Sequence, residues 1–492
     1  MTDPGVFLSK SKYLAGLQCP KLLWFHYNAK DEIPPVDEAK QALFDQGHEV
    51  GEWAKKVFPS GIDVRWDQGF KLVIKQSKEL LSERKPLFEA GFKYRNAYSR
   101  IDILKPVGED EWDIIEVKSG TSVKDINVHD VSFQKYCCEG AGLKIRNCFL
   151  MHIDSSYVRD GDIDPESLFS TEDISEDVAG LTLDVETNID SMIDVIKGPK
   201  LNIRIGPQCK DPYDCALIEK CWDFLPENNV FELYRMGKKG FDLLEQGVEN
   251  IKDLPEGYRL NTKQEIQKEA IDNETTHVNH RQLKSFLGSL EYPIHYFDFE
   301  TINPAVPLYD GTRPYQQVPF QFSLDIESED GTVEHFEYLH KGTGDPRPEL
   351  LKEMKKAFKK EGSIVVYYQS FERGRLLELA SAFPDYEDFI QGLLSRFKDL
   401  IEPFSGFDYY NPSQKGSASL KAVMPALTGK GYEDLSISDG GQASRQYIRL
   451  ISTELPPSEK EQIRKDLLEY CGQDTEGMIW MVHELKRLVE NG

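Results

Sequence analysis

Long apolar runs are missing from this 492-residue chain. No run of about 18 apolar residues, the least that spans a bilayer as a helix, occurs in it. Mean hydropathy is −0.50, so a soluble protein without a membrane partner is expected. The opening MTDPGVFLSKSKYLAG has no signal-peptide core, which makes the cytoplasm the expected compartment. Disulfides are rare there, so the eight cysteines are expected to be core residues or metal ligands. Positive charge is also scarce: 59 Lys and Arg stand against 84 Asp and Glu, a net charge of −25. That argues against broad adhesion to nucleic acid. It leaves room for an enzyme that offsets its charge with metal ions and a local basic groove. No Walker A loop and no nucleophile elbow are present, which removes P-loop and Ser/His/Asp chemistry. DGDID at 160–164 begins like a calcium loop but puts Pro165 where that loop turns on glycine.

The length calls for two or three domains, and the patterning for an α/β multidomain protein. Residues 1–90 read as amphipathic helices such as EAKQALFDQGHEVGEWAKKVF. LFEAGFKY, SRIDILKPV, EWDIIEVKSG and IRNCFLMHI read as strands, with a helix, VHDVSFQKYCCEGAG, before the last. Residues 230–285 read as short helices, and from 291 a strand hairpin leads into helices. The expected division is 1–228, a helical connector 229–288, and 289–492.

The first constellation is Asp102, Glu116 and Lys118. Glu116 and Lys118 are two apart on a strand and so share a face. Carboxylates bind a hard cation such as Mg²⁺ or Mn²⁺, which activates water and neutralises a phosphodiester. A nearby lysine can meet the developing negative charge. This pattern, followed by a helix bearing Gln134, resembles the PD-(D/E)xK nucleases, and among them the RecB-like branch, over about residues 8–225. The resemblance implies a restriction-endonuclease-like core with helical additions. It implies Asp102 and Glu116 as metal ligands, Lys118 as catalytic lysine and Gln134 as the glutamine after the core motif. It adds His48, in FDQGHEVG, as a further ligand and Glu89 as an accessory acid. Where that branch has Gln-x-x-x-Tyr, this chain has Gln134 and then Tyr136.

The second constellation is Cys209, Cys215 and Cys221, spaced C-x5-C-x5-C, with Cys19 in LQCPKLLW. Soft thiolates select zinc or iron–sulfur clusters. One cysteine before the strands and three after them resembles the iron–sulfur nucleases of the same branch, which implies a 4Fe-4S cluster. Zn²⁺ and plain buried thiols stay open as alternatives, because the tighter C-x2-C step is absent. Cys137, Cys138, Cys148 and Cys471 read as packing residues.

The third constellation starts in HYFDFET, where Asp298 and Glu300 face the same way inside an apolar strand and need cations. Tyr470 and Asp474, at i and i+4, share one face of a later helix, and Glu372 follows the strand-like VVYY. Separated acids converging on one point can hold two metal ions about 3.5–4 Å apart for in-line phosphoryl displacement. This resembles the RNase H-like, DnaQ-type exonucleases of the DEDDy pattern, over about residues 291–485. The resemblance implies an RNase H-like mixed sheet with helices. It implies Asp298, Glu300 and Asp474 as metal ligands, Glu372 in place of the usual aspartate, and Tyr470 orienting the attacking water. Lys415 and Lys421, flanking KGSASLK, are candidate phosphate holders. The whole chain resembles bacterial and archaeal fusions of a RecB-like nuclease with an RNase H-like domain. The implied function is metal-dependent cleavage of DNA, single-stranded or at its ends, with RNA open as an alternative substrate. The alternatives are a second domain that binds nucleic acid without cutting it, and an acidic scaffold in a repair or defence complex.

Overall fold

A computed structural model of the protein describes residues 6–65, 69–452 and 454–491. The chain is α/β and divides into two compact units, Met1–Phe224 with Pro304–Tyr315, and Leu225–Asn303 with Gln316–Gly492. Among the described residues no helix is long and apolar enough to cross a membrane.

The first unit is built on a mixed sheet. Strands Ile62–Asp63, Leu87–Tyr94, Ala97–Val107, Glu111–Lys118, Lys144–Ile153 and Phe169–Asp173 lie in that order, and Leu8–Ser9 pairs with the start of the Ala97 strand. Antiparallel hairpins join the central strands, but Glu111–Lys118 and Lys144–Ile153 run parallel. A parallel pair needs a crossover, and helix Asp125–Gly140 supplies it. Alternation decides what each strand buries. Trp112 and Ile114 enter the core that includes Val131, Phe133 and Val185, whereas Ile115 and Val117 face the one around Val50, Phe88 and Met151. Glu116 and Lys118 continue the Trp112–Ile114 face as its polar end.

In the second unit the sheet order is Val333–Leu339, Val318–Glu327, Ile294–Ile302, Ile364–Val366, Phe397–Asp399. The first three are antiparallel and the last two run parallel to Ile294–Ile302. Phe297 and Phe299, with Phe322, Leu324 and Ile326 of the neighbouring strand, form an apolar face buried against Leu350, Met354 and Leu376. The opposite face is polar and meets the helix Pro457–Glu490. There Gln321 donates to the Leu467 carbonyl (2.7 Å), Ser323 bonds Thr475 (2.8 Å), Thr475 donates to Asp325 (2.6 Å) and His483 pairs with Glu327 (2.7 Å). These bonds pair most of the buried polar side chains along that interface, as burial demands.

Two boundaries differ from the sequence expectation. Residues 304–315, expected with the C-terminal domain, belong to the first unit. Ala305 and Val306 are buried in its core, and the Arg159 guanidinium donates to the carbonyls of Pro307 and Leu308 (3.0 and 2.8 Å). Nor is 229–288 a free-standing connector, because it lies within the second unit. Strand His277–Val278 pairs with Tyr409–Tyr410, Ala270 packs on Phe407 and Tyr410, and Gln267 donates to the Glu232 carbonyl at 2.8 Å.

Gly416 closes this packing. Its φ is +74°, and a Cβ there would stand 2.7 Å from the Glu232 carbonyl oxygen. Gly416→Ala should therefore destabilise the protein by about 1–3 kcal/mol, from left-handed strain and the clash together. Chemical denaturation checks this, and an unchanged midpoint would mean that the 232 segment is not held against this loop.

Candidate functional site

Two carboxylate clusters and one thiol cluster stand out. In the first unit Glu116 is fully buried, and Lys118 binds its Oε1. Gln134, on the helix above, donates from Nε2 to Glu116 Oε2 at 2.6 Å and to Asp130 at 3.0 Å. Asp130 also accepts from Lys118 at 2.8 Å. Asp102 accepts the Val117 backbone N–H at 2.9 Å. It lies where strand alternation breaks: Ile101 and Leu104 enter one core and Ile103 the other. Opposite it, Glu89 takes a left-handed φ of 59° and pairs with Arg100. Such strain in a non-glycine residue is typical of sites where geometry serves function.

Lys10 completes this cluster. It opens the helix Lys10–Gln18, and its Nζ lies 2.7 Å from Glu116, 3.7 Å from Asp130 and 3.9 Å from Asp102. Neither Lys10 nor Asp130 is an expected site residue. Their only sequence signal is a basic helix start in LSKSK and an acid one turn before Gln134. Burial alone would raise the Glu116 carboxyl, but Lys10 and Lys118 overcome it and hold the group far below the usual range. Burial and the Glu116 charge push Asp102 the other way, up to about 7. Burial disfavours the charged forms of Lys10 and Lys118, yet the surrounding carboxylates raise both.

An open cleft of about 430 Å³ meets this cluster, lined by Lys10, His48, Lys55, Glu89, Arg100 and Asp102 among others. His48 is exposed on helix Glu38–Lys56 and borders the cleft. Among the described residues no hydrogen bond ties it to the carboxylates. Tyr136 points elsewhere and packs edge-on against Tyr94, with ring centroids 5.2 Å apart.

In the second unit Asp298 and Glu300 lie on the polar face of their strand. Asp298, Glu300 and Cys471 present ligand atoms within 4.8 Å of one another. Cys471 Sγ is 3.9 Å from Asp298 Oδ2, so this thiol, read from sequence as packing, borders the acids instead. Cys137, Cys138 and Cys148 are core residues. Asp474 follows one turn after Tyr470 on the long helix, and both are buried. The Tyr432 hydroxyl donates to Asp474 Oδ1. Glu372, from the first turn of helix Gln369–Ala382, is 2 % exposed, and its Oε2 has no hydrogen-bond partner among the described residues.

The electrostatics differ from those of the first unit. Among the described residues no basic nitrogen lies within 4.0 Å of Asp298, Glu300, Glu372 or Asp474. Burial, then the charges of Asp474, Glu300 and Glu372, push the Asp298 carboxyl far above the usual range. Burial and Asp474 do the same to Glu300. Burial lifts Glu372 to about 8 and Asp474 to about 7. Lys421 and Arg375 act here from beyond ion-pair distance, Arg375 on Glu372 and Lys421 on the acids of the strand and the long helix. Arg375 lowers Glu372. Lys421 lies 5.8 and 5.9 Å from the Tyr432 and Tyr470 rings and lowers Glu300 and Asp474. Lys415, the other candidate phosphate holder, pairs with Glu232 at 3.5 Å.

Cys19, Cys209, Cys215 and Cys221 line one small cavity with Lys21, Arg204 and Gln208. All four thiols are free of disulfides. The Leu217 backbone N–H reaches Cys215 Sγ at 3.5 Å, and Cys215 N–H donates to the Cys209 carbonyl at 2.8 Å. Burial raises the Cys215 thiol, and the neighbouring Cys19, Cys209 and Cys221 add to that.

Against known proteins, the profile of the family described as Domain of unknown function (DUF2779) matches residues 295–419. That stretch contains Asp298, Glu300 and Glu372 and stops before Tyr470 and Asp474. Uncharacterized protein MG366 of Mycoplasma genitalium is 24% identical over 245 residues, 45% of this chain and 36% of that protein. Its homolog in Mycoplasma pneumoniae is 26% identical over 230 residues, covering 43% and 34%. Uncharacterized protein UU173 of Ureaplasma parvum is 28% identical over 218 residues, covering 40% and 31%. The chain thus spans about a third of the length of these curated relatives, to which it is similar over less than half of its own.

Proposed function

We propose that the protein is a metal-dependent nuclease with two phosphodiester-hydrolysing centres, acting on DNA and, as a second substrate class, RNA. The observation that carries this reading is the convergence of Asp298, Glu300, Glu372 and Asp474 with no basic nitrogen within 4.0 Å among the described residues. Buried carboxylates in that state call for cations. The sheet order of the second unit, three antiparallel strands followed by two parallel ones, supports an RNase H-like reading with the acids at the central strand. In the first unit the strand–strand–strand–helix–strand run, with Glu116 and Lys118 on its third strand, supports a PD-(D/E)xK reading.

The residues fit a divalent cation at both centres. At the first, three carboxylates surround a point that a positive group, the Lys10 ammonium, already prefers. At the second, the orphaned Glu372 Oε2 and the Asp298–Glu300–Cys471 group offer ligands with no other use. When bound, Mg²⁺ or Mn²⁺ would activate water and neutralise phosphoryl charge. Asp102 and Glu116 would hold it in one centre, and Asp298, Glu300 and Asp474 in the other. Gln134 fixes Glu116 from behind, and Lys118 keeps an ammonium beside the developing charge. The Tyr432 hydroxyl holds Asp474 in place, and the Tyr470 ring lies 6.0 Å from that of Tyr432.

Four thiols around one cavity, with a backbone N–H aimed at sulfur, fit a 4Fe-4S cluster. A single zinc, with Zn–S bonds of about 2.3 Å, would draw the sulfurs to about 3.8 Å apart. Among the described residues the cysteines form no group of three ligand atoms within 4.8 Å.

Anaerobically purified protein should be brown, with broad absorbance at about 400 nm that Cys215→Ala abolishes. Colourless protein with stoichiometric zinc would overturn the cluster and keep the ligands. On 5′- and 3′-labelled single strands with Mn²⁺, Lys118→Ala and Asp298→Ala should each lose part of the cleavage and the double variant all of it. If Lys118→Ala alone loses everything, the second centre is silent under those conditions. If wild type cuts neither DNA nor RNA, the nuclease reading falls.

The raised carboxyls set a pH dependence. Asp474 and Glu372, lifted to about 7 and about 8, bind protons on folding. Their stabilising share is full below the unfolded carboxyl range of about 4 and is lost as pH rises through about 8. In EDTA the melting temperature should therefore fall between about pH 5 and about pH 8. Saturating Mn²⁺ should raise it most at the upper end, and Glu372→Gln should flatten the EDTA profile. Differential scanning calorimetry checks this, and a flat wild-type profile in EDTA would show that the acids are compensated within the protein.

A further inference from the structure

The first centre contains two ammonium groups where the chemistry proposed for it uses one. Lys118 already serves Glu116 Oε1 and Asp130 Oδ2. Lys10 comes from a different element and reaches the same Glu116 oxygen at 2.7 Å, Asp130 Oδ1 at 3.7 Å and Asp102 Oδ1 at 3.9 Å. Among the described residues it alone lies within 4.0 Å of all three carboxylates, which puts its charge where a divalent cation would be shared between Asp102 and Glu116. Its side chain is 26% exposed and lines the open cleft with Arg100 and Lys55. A flexible four-carbon stem lets the ammonium leave the cluster for the cleft without moving the helix.

We propose that Lys10 is the resident cation of the first centre: a divalent ion displaces its ammonium from the carboxylates into the cleft, where it holds a phosphate of the nucleic-acid strand. Lys10 is thus a positioning residue that couples metal entry to substrate binding. No bond is made or broken, since one cation replaces another and the ammonium keeps its protons. The inference rests on the reading that this centre takes a divalent cation.

The test uses full-length protein carrying Asp298→Ala, so that the second centre contributes no tight metal binding. Mn²⁺ binding is measured by titration calorimetry, with and without Lys10→Met, which keeps the length and apolar stem of the side chain and removes its charge. Lys10→Met should bind Mn²⁺ about threefold to tenfold more tightly, because an ion pair no longer has to be broken. Binding of a fluorescent oligothymidylate is then followed against salt, with Ca²⁺ in place of Mn²⁺ to occupy oxygen ligands. There Lys10→Met should bind more weakly, with a salt slope smaller by about 0.7, the share of one phosphate contact on a single strand. Lys10→Arg should restore that slope.

A purely structural lysine gives the opposite result, with Mn²⁺ binding weakened or unchanged, and that overturns the proposal. An unchanged salt slope also overturns it. If the Lys10-containing protein binds no Mn²⁺ at the first centre while Lys10→Met does, the ammonium holds the seat outright, and the proposal stands in its strongest form. If neither binds Mn²⁺, both this inference and the metal reading beneath it fail. If Lys10→Met does not fold, as judged by circular dichroism, the same two measurements on Lys10→Gln decide.

Discussion

Four carboxyl groups crowded inside one unit repel one another, and among the described residues no basic nitrogen comes within 4.0 Å of them, Lys421 and Arg375 acting only from farther off. The second unit holds Asp298 and Glu300 in place by burying the other face of their strand. Phe297 and Phe299 are locked into an apolar cluster with Phe322, Leu324 and Met354, so the acids cannot swing apart by shifting the strand. A slip of one residue would turn the phenylalanines to the polar side and the acids into the apolar one. From the far side Asp474 is fixed by a long helix bonded to the neighbouring strand through Thr475 and His483. Hydrophobic packing thus supplies the rigidity that keeps an electrostatically unfavourable arrangement together. Such an arrangement persists when it serves a ligand of opposite charge.

The first unit meets the same constraint differently. Its acids are also placed by alternation, Glu116 following Trp112 and Ile114 along one face, but two lysines and a glutamine neutralise and orient them. The result is one carboxyl held low, Glu116, beside one held high, Asp102, although both are carboxylates of one cluster. Groups with opposite shifts at the edge of a cleft are the usual mark of a chemical site. The break in alternation at Asp102 and the left-handed Glu89 opposite it belong to that site, since a regular ladder would leave no carboxylate free to accept the Val117 N–H.

Much of this was legible in sequence because the informative spacings are short. Asp298 and Glu300 two apart, Glu116 and Lys118 two apart, and Tyr470 and Asp474 four apart each declare a shared face through strand or helix geometry alone. The cysteine spacing was legible as a grouping, since Cys19, Cys209, Cys215 and Cys221 line one cavity. What was not legible depends on tertiary placement. Lys10 is a lysine at a helix start and Cys471 a small apolar residue on a buried helix, and neither has a local signal that distinguishes it from its many ordinary counterparts. Tyr432 lies in a loop with no periodicity. The segment 304–315 has no repeating pattern either, so its burial by Ala305 and Val306 and its grip by Arg159 could not be read before the fold was seen. The apparent connector failed for a related reason: short amphipathic helices look alike whether they link two bodies or pack on one.

Anomalous diffraction from crystals grown in EDTA and then soaked in Mn²⁺ tests the central claim, that these acid clusters are seats for divalent cations. The expected result is a manganese peak between Asp298, Glu300 and Asp474, and a second between Asp102 and Glu116 with the Lys10 ammonium moved away from them. Acid clusters unchanged by the soak, with no anomalous peak at either, would contradict it.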